Sequence, residues 1–117
     1  MFSPSSKKLH WFNPSSVEEL NTLTNDTSSP LLVFKHSERC PVSRMALKQF
    51  ENEFNLENVK LVFIEVRESR DLSNFIAEKW NIIHQSPQAL IQDTNKNHTS
   101  FSHNGISVEK IKAFFGL

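Results

Sequence analysis

Leu31-Leu32-Val33-Phe34-Lys35-His36-Ser37-Glu38-Arg39-Cys40-Pro41-Val42-Ser43-Arg44-Met45-Ala46-Leu47-Lys48-Gln49-Phe50 is the stretch on which the reading of this chain turns. Its first four residues form a continuous apolar run, the pattern of a strand covered on both faces. The polar segment Ser37-Glu38-Arg39 follows and leads to the only cysteine. Pro41 suits the first turn of a helix, where its missing N–H costs nothing. Val42, Ala46, Phe50 and Phe54 then recur every four residues with Met45 beside them. That spacing predicts one buried face of a helix about four turns long.

Cys40 therefore falls at a helix N-terminus, where unpaired N–H groups and the helix dipole favour an anion. Such a setting turns a thiol toward the reactive thiolate, and Arg39 can add a cation beside the sulfur. A lone cysteine can also be a small buried hydrophobe. The exposed polar run before Cys40 favours the reactive reading. Cys40-Pro41-Val42-Ser43 has the spacing of a C-x-x-C redox motif with serine in place of the second cysteine. One helical turn brings Ser43 within reach of the sulfur, so its hydroxyl can donate a hydrogen bond to the thiolate, or it can be an ordinary first-turn serine. It cannot resolve a mixed disulfide, so any second thiol must come from outside the chain.

Working outward, Leu9, Trp11 and Phe12 suggest a short first strand, which Asn13-Pro14-Ser15-Ser16 ends. Ser16 and Glu19 make a capping box for a helix over about residues 16–24. Leu61-Val62-Phe63-Ile64 is a second buried strand, and Leu72, Phe75, Ile76 and Trp80 mark the next helix. Residues 89–93 and 98–103 flank a polar loop and read as a hairpin. Gly105 marks a turn, and Ser107 caps a last helix with Val108, Ile111, Phe114 and Phe115. The order is β-α-β-α-β-α-β-β-α, an α/β chain with parallel crossovers and an antiparallel hairpin at the edge. Cys40 lies past the carboxyl end of the strand expected at the centre, where chemistry gathers in open α/β sheets. Ser86-Pro87 precedes the hairpin. A trans bond there marks an edge, whereas a cis bond exposes the Ser86 backbone for pairing with an extended substrate.

The totals exclude several classes. The chain has 117 residues, the size of one domain, with residues 1–7 expected to be frayed. Thirteen basic and thirteen acidic residues give a net charge of +0, which offers no pull toward nucleic acid or an anionic membrane. No apolar run reaches the length of a membrane span, and the start lacks the apolar core of a signal peptide. The expected compartment is the reducing cytoplasm. One cysteine excludes an internal disulfide and an all-cysteine metal cage. His36 and Cys40 are four apart, but the break from strand to helix spoils that register, and no metal site is expected. Two glycines are too few for a phosphate-cradling loop, and no elbow motif supports a Cys–His hydrolase.

Over nearly its whole length the chain resembles the thioredoxin superfamily, in its element order, its Cys-Pro-x-Ser helix start and Ser86-Pro87 before the hairpin. Within it the chain looks most like the monothiol bacilliredoxin (YtxJ-like) family, through Phe34-Lys35-His36-Ser37, Cys40-Pro41-Val42-Ser43 and Ser86-Pro87-Gln88-Ala89. The family motif is usually Thr-Cys-Pro-Ile-Ser. Here Arg39 replaces the threonine and Val42 the isoleucine. The resemblance implies a thioredoxin-like fold, a central mixed sheet with helices on both faces, and a cis Pro87 beside the cysteine. It implies a monothiol thiol–disulfide oxidoreductase with Cys40 as nucleophile, Ser43 and Pro41 in the catalytic motif, and Arg39, Ser86 and Pro87 on the substrate side. Its clients would be S-thiolated proteins, its co-substrate bacillithiol, with no tightly bound cofactor and a monomeric state. The Cys-Gly-Phe-Ser motif and paired glycines of monothiol glutaredoxins are absent, which weighs against glutathione and a bridging iron–sulfur cluster. A thioredoxin-fold module that binds peptides without catalysis remains the alternative.

Overall fold

The computed structural model describes residues 9–117, so the expected fraying of residues 1–7 lies outside the described residues. The elements are β1 (Trp11–Phe12), α1 (Val17–Asn25), β2 (Leu31–His36), α2 (Pro41–Glu53), β3 (Lys60–Glu65), α3 (Arg70–Trp80), β4 (Gln88–Gln92), β5 (His98–Ser102) and α4 (Val108–Phe115), with a 3-10 turn at His103–Gly105. The sheet order is β1-β3-β2-β4-β5. β1 and β2 run parallel to β3, while β4 runs antiparallel to β2 and β5 to β4. The expected mixed sheet with β2 at its centre is present.

Alternation along the strands divides the core into two layers. Leu31 and Val33 of β2 pack with Val62, Ile64 and Leu90 against Leu20, Leu72, Ile76 and Trp80 of α1 and α3. Leu32 and Phe34 pack with Leu61, Ala89 and Ile91 against Phe50, Phe54, Val108 and Ile111 on the α2–α4 side. Trp11 closes that second layer. Its ring lies 6.0 Å from Phe34, 5.9 Å from Phe50 and 5.4 Å from Phe63, and its Nε1 donates to Glu51 at 2.8 Å.

Helix ends follow local chemistry. Ser16 Oγ accepts the Glu19 N–H at 3.1 Å and Ser107 Oγ accepts the Lys110 N–H at 3.2 Å. The capping box is displaced by one residue: the Glu19 carboxylate accepts from the Ser15 N–H at 2.7 Å rather than from Ser16. At the other end of α1, Lys79 donates to Asn21, Thr24 and Asn25, a cation on carbonyl and hydroxyl oxygens where the helix dipole is negative.

Two expectations need correction. β2 does not end at Phe34 but runs on through Lys35 and His36, both buried, because pairing with Ile64 and Glu65 of β3 continues past the apolar run. The buried face of α2 is also rotated in its first turn. Val42 is 50% and Met45 74% exposed, whereas Ser43 is wholly buried. The inward stripe is Ser43, Leu47, Phe50 and Phe54, because hydrogen bonds from Ser43 to the end of β2 and the following loop fix which way the helix enters.

Candidate active site

The site is built at the carboxyl end of β2. Cys40 is half-buried and caps α2, and its side chain makes no capping hydrogen bond. Pro41 occupies the first helical turn, as expected. The Cys40 N–H closes a turn onto the Ser37 carbonyl at 3.1 Å, and the Cys40 carbonyl accepts the Arg44 N–H at 3.0 Å. The sulfur therefore sits where a loop becomes a helix, among backbone N–H groups that the helix leaves unpaired.

The loop of residues 37–40 is held at several points. Ser37 N–H donates to Ser43 Oγ at 3.0 Å. Glu38 N–H donates to Glu65 Oε2 at 2.8 Å, and the Glu38 carbonyl accepts from Arg44 Nη1 at 2.8 Å. Glu65 Oε1 also accepts the N–H groups of Arg67 and Glu68 at 2.8 and 3.0 Å. Burial opposes its charge, but the N–H groups of Glu38, Glu68 and Arg67 together hold the Glu65 carboxyl below its ordinary value.

Beneath this loop lies His36, only 1% exposed. Its Nδ1 is 2.7 Å from Ser43 Oγ and its Nε2 is 2.8 Å from Glu38 Oε1. Its ring rests against Phe63 at 5.5 Å. The hydrogen bond expected from Ser43 to the Cys40 sulfur is not among those of the described residues. The Ser43 hydroxyl is engaged with His36 and Ser37 instead.

Lys35 points to the opposite face of β2. Its Nζ donates to the Ser73 carbonyl at 3.0 Å and lies 3.1 Å from His84 Nδ1, which is also 3.2 Å from Ser73 Oγ. Burial lowers the Lys35 pKa to about 8. Burial, then the charges of Lys35 and Arg70, lowers the pKa of His84. Gln88, paired with Lys35 across the sheet, donates to the Ile83 carbonyl at 3.0 Å and accepts the Gln85 N–H at 3.2 Å. These contacts anchor the loop that leads to Ser86-Pro87. The Ser86–Pro87 peptide bond is cis. Pro87 is buried, its carbonyl accepts the His103 N–H at 3.0 Å, and Ser86 Oγ is a buried hydroxyl with no hydrogen-bond partner among the described residues. Continued past Lys35–Gln88, the antiparallel register sets Pro87 beside the end of β2 and so beside the loop that carries Cys40.

Arg39 is exposed. With Glu38, Glu65, Arg67 and Glu68 it lines a shallow cleft of about 360 Å³. This cleft is thus of mixed charge, three carboxylates against two guanidinium groups. On the other side, Val42, Met45 and Ala46 border a groove of about 340 Å³ that reaches His103 and Ile106. Among the described residues no three His, Cys, Asp or Glu side chains are grouped to hold a metal ion, and no helix is long and apolar enough to cross a membrane.

Sequence reasoning placed Cys40, Pro41 and the proline loop but missed Lys35, His36, Glu38, Ser73, His84 and Gln88. The available signal was strand parity. If Leu31 and Val33 face one layer and Leu32 and Phe34 the other, Lys35 and His36 continue into opposite layers and need buried partners there.

A lone cysteine at the head of the helix after the central strand, with a cis-proline at the head of the strand that pairs antiparallel with that central strand, defines a monothiol protein of the thioredoxin fold. Solved structures agree. One described as a candidate oxidoreductase with a thioredoxin fold aligns with a TM-score of 0.74 and 30% identity, covering 88% of this chain and 91% of its own. Chloroplastic thioredoxin z aligns at 0.64 with 23% identity, covering 93% and 94%. Thioredoxin from Trypanosoma brucei brucei aligns at 0.64 with 17% identity, covering 92% and 93%. The family described as monothiol bacilliredoxin BrxC matches residues 13–111, and the chain belongs to that family. Family and fold together give it a thiol redox function.

Proposed function

We propose that the protein is a monothiol thiol–disulfide oxidoreductase that removes bacillithiol from mixed disulfides on proteins, acting through Cys40. The observation that carries the reading is the half-buried Cys40 at the start of α2, without a side-chain partner in the helix cap and with serine at the position of a second thiol. The Cys40 thiolate attacks the bacillithiol sulfur of the mixed disulfide. That S–S bond breaks, the client's sulfur leaves as a thiolate and takes up a proton, and Cys40 becomes bacillithiolated. A second thiol from solution then attacks this new disulfide and restores Cys40. Membership of the bacilliredoxin family supports bacillithiol as the co-substrate. No tightly bound cofactor enters the cycle.

Arg39 offers a cation to the incoming thiol, and the Ser86 backbone offers hydrogen bonds to an extended client segment beside Pro87. The protein acts as a monomer in the cytoplasm on S-thiolated clients, without nucleic acid or membrane partners. Incubation with a bacillithiolated protein, followed by intact mass, tests this. One bacillithiol should move onto Cys40 as the client thiol appears. A Cys40→Ala variant that releases client thiol as fast as wild type would overturn the reading.

A further inference from the structure

We infer that Glu38, His36 and Ser43 form a positioning relay for Cys40, in which Ser43 gives its proton to His36 rather than to the sulfur. The inference rests on Cys40 being the reacting thiol.

Glu38 Oε1 lies 2.8 Å from His36 Nε2. A carboxylate only accepts, so Nε2 carries a proton. When the ring carries that proton alone, Nδ1 is an acceptor. Ser43 Oγ, 2.7 Å from Nδ1, has one proton and donates it there. A lone pair of the same oxygen accepts the Ser37 N–H at 3.0 Å. Ser43 thus joins the end of β2, the cysteine loop and the first turn of α2 through a single buried atom. Its side chain is 0% exposed and His36 is 1% exposed, so water cannot replace these bonds without opening the site.

Two consequences follow. The thiolate is served by first-turn backbone N–H groups, since the one proton of Ser43 is committed elsewhere. The relay also begins in solvent, because the Glu38 side chain is 72% exposed. Glu38 therefore governs the geometry of a sulfur that it reaches only through His36 and Ser43. Loss of its carboxylate lets the imidazole exchange tautomers. With the proton on Nδ1 the ring donates to Ser43 Oγ, and the Ser43 proton is left without its acceptor, which loosens the residues on which Cys40 sits.

The test uses 5,5′-dithiobis(2-nitrobenzoic acid). The Cys40 thiolate attacks one of its sulfurs, the S–S bond breaks, a mixed disulfide forms on Cys40 and a coloured thiolate leaves. This probe contains no bacillithiol, so the rates report on the relay whichever thiol the protein takes from clients. Glu38→Ala is expected to slow the reaction about tenfold, and Ser43→Ala by a similar factor. The double variant should be no slower than either single one, because both break the same chain of bonds. Glu38→Gln keeps an acceptor oxygen for Nε2 and should stay within about twofold of wild type. Ring nitrogen shifts of His36 by NMR should show a proton on Nε2 and none on Nδ1 in wild type, with both tautomers in Glu38→Ala. Since Glu38 is exposed, its variants keep the test open should Ser43→Ala fold poorly. A Glu38→Ala rate within about twofold of wild type would overturn the relay, as would a proton on Nδ1 of the wild-type ring.

Discussion

The buried ammonium of Lys35 lies 3.1 Å from Nδ1 of His84, which ties the central strand to the loop that delivers Pro87. Its neighbour His36 reaches the opposite face of β2 and holds Ser43 at the start of α2. Successive strand residues point to opposite faces. Two adjacent polar side chains on one strand thus fix the two halves of the site, the cysteine loop and the proline loop, relative to each other.

Lys35 makes stability depend on pH in an unusual direction. Its native pKa, lowered by burial to about 8, lies below the ordinary 10.5. Below about pH 8 both native and unfolded chains carry the proton, and the cost of the buried charge is fully present. Between the two values the unfolded chain binds more protons, so stability rises with pH. Urea unfolding of wild type and Lys35→Met should therefore show the wild type gaining on the variant as pH is raised through that window. A difference that stays flat would mean that the ammonium is not desolvated.

The corrected face of α2 gives a paired prediction. Phe50 is 2% exposed and packs its ring 5.4 Å from Phe34 and 5.1 Å from Phe54. Phe50→Ala should cost about 3–5 kcal/mol in urea unfolding. Met45→Ala, at an exposed position, should stay within about 0.5 kcal/mol of wild type. Similar losses at both sites would restore the face expected from the four-residue spacing.

Ser43 occupies the place of a resolving thiol, one turn from Cys40. Cα atoms three apart on a helix are about 5 Å from each other, within the Cα span of a disulfide. On Ser43→Cys, a small disulfide should leave no lasting adduct. The introduced thiol should displace it and close an internal disulfide with Cys40, seen as the loss of two hydrogens in the intact mass. A persistent adduct on Cys40 would show that side chains at residue 43 cannot turn toward the sulfur.

Much of the architecture was legible because its causes are local. Caps at Ser16 and Ser107, the apolar runs of β2 and β3 and the hairpin signal depend on residues close in sequence. The interior of the site was not. Whether Val42 or Ser43 turns inward depends on His36, seven residues earlier and on another element. Lys35 and His36 look like the polar end of a strand until β3, Ser73 and His84 supply their partners. The place of Cys40 was readable from its flanks, since Pro41 and the apolar spacing mark a helix start wherever the helix packs. Pro87 was placed by the family resemblance, since one Ser-Pro pair does not distinguish a cis bond from a strand edge.

The account turns on Cys40 taking a thiol from a client, and intact mass after incubation with a bacillithiolated protein tests that most directly. It predicts one bacillithiol bound to the wild-type chain at Cys40, an equal amount of freed client thiol, and neither with Cys40→Ala. A wild-type chain that stays unmodified while the client keeps its bacillithiol would contradict it.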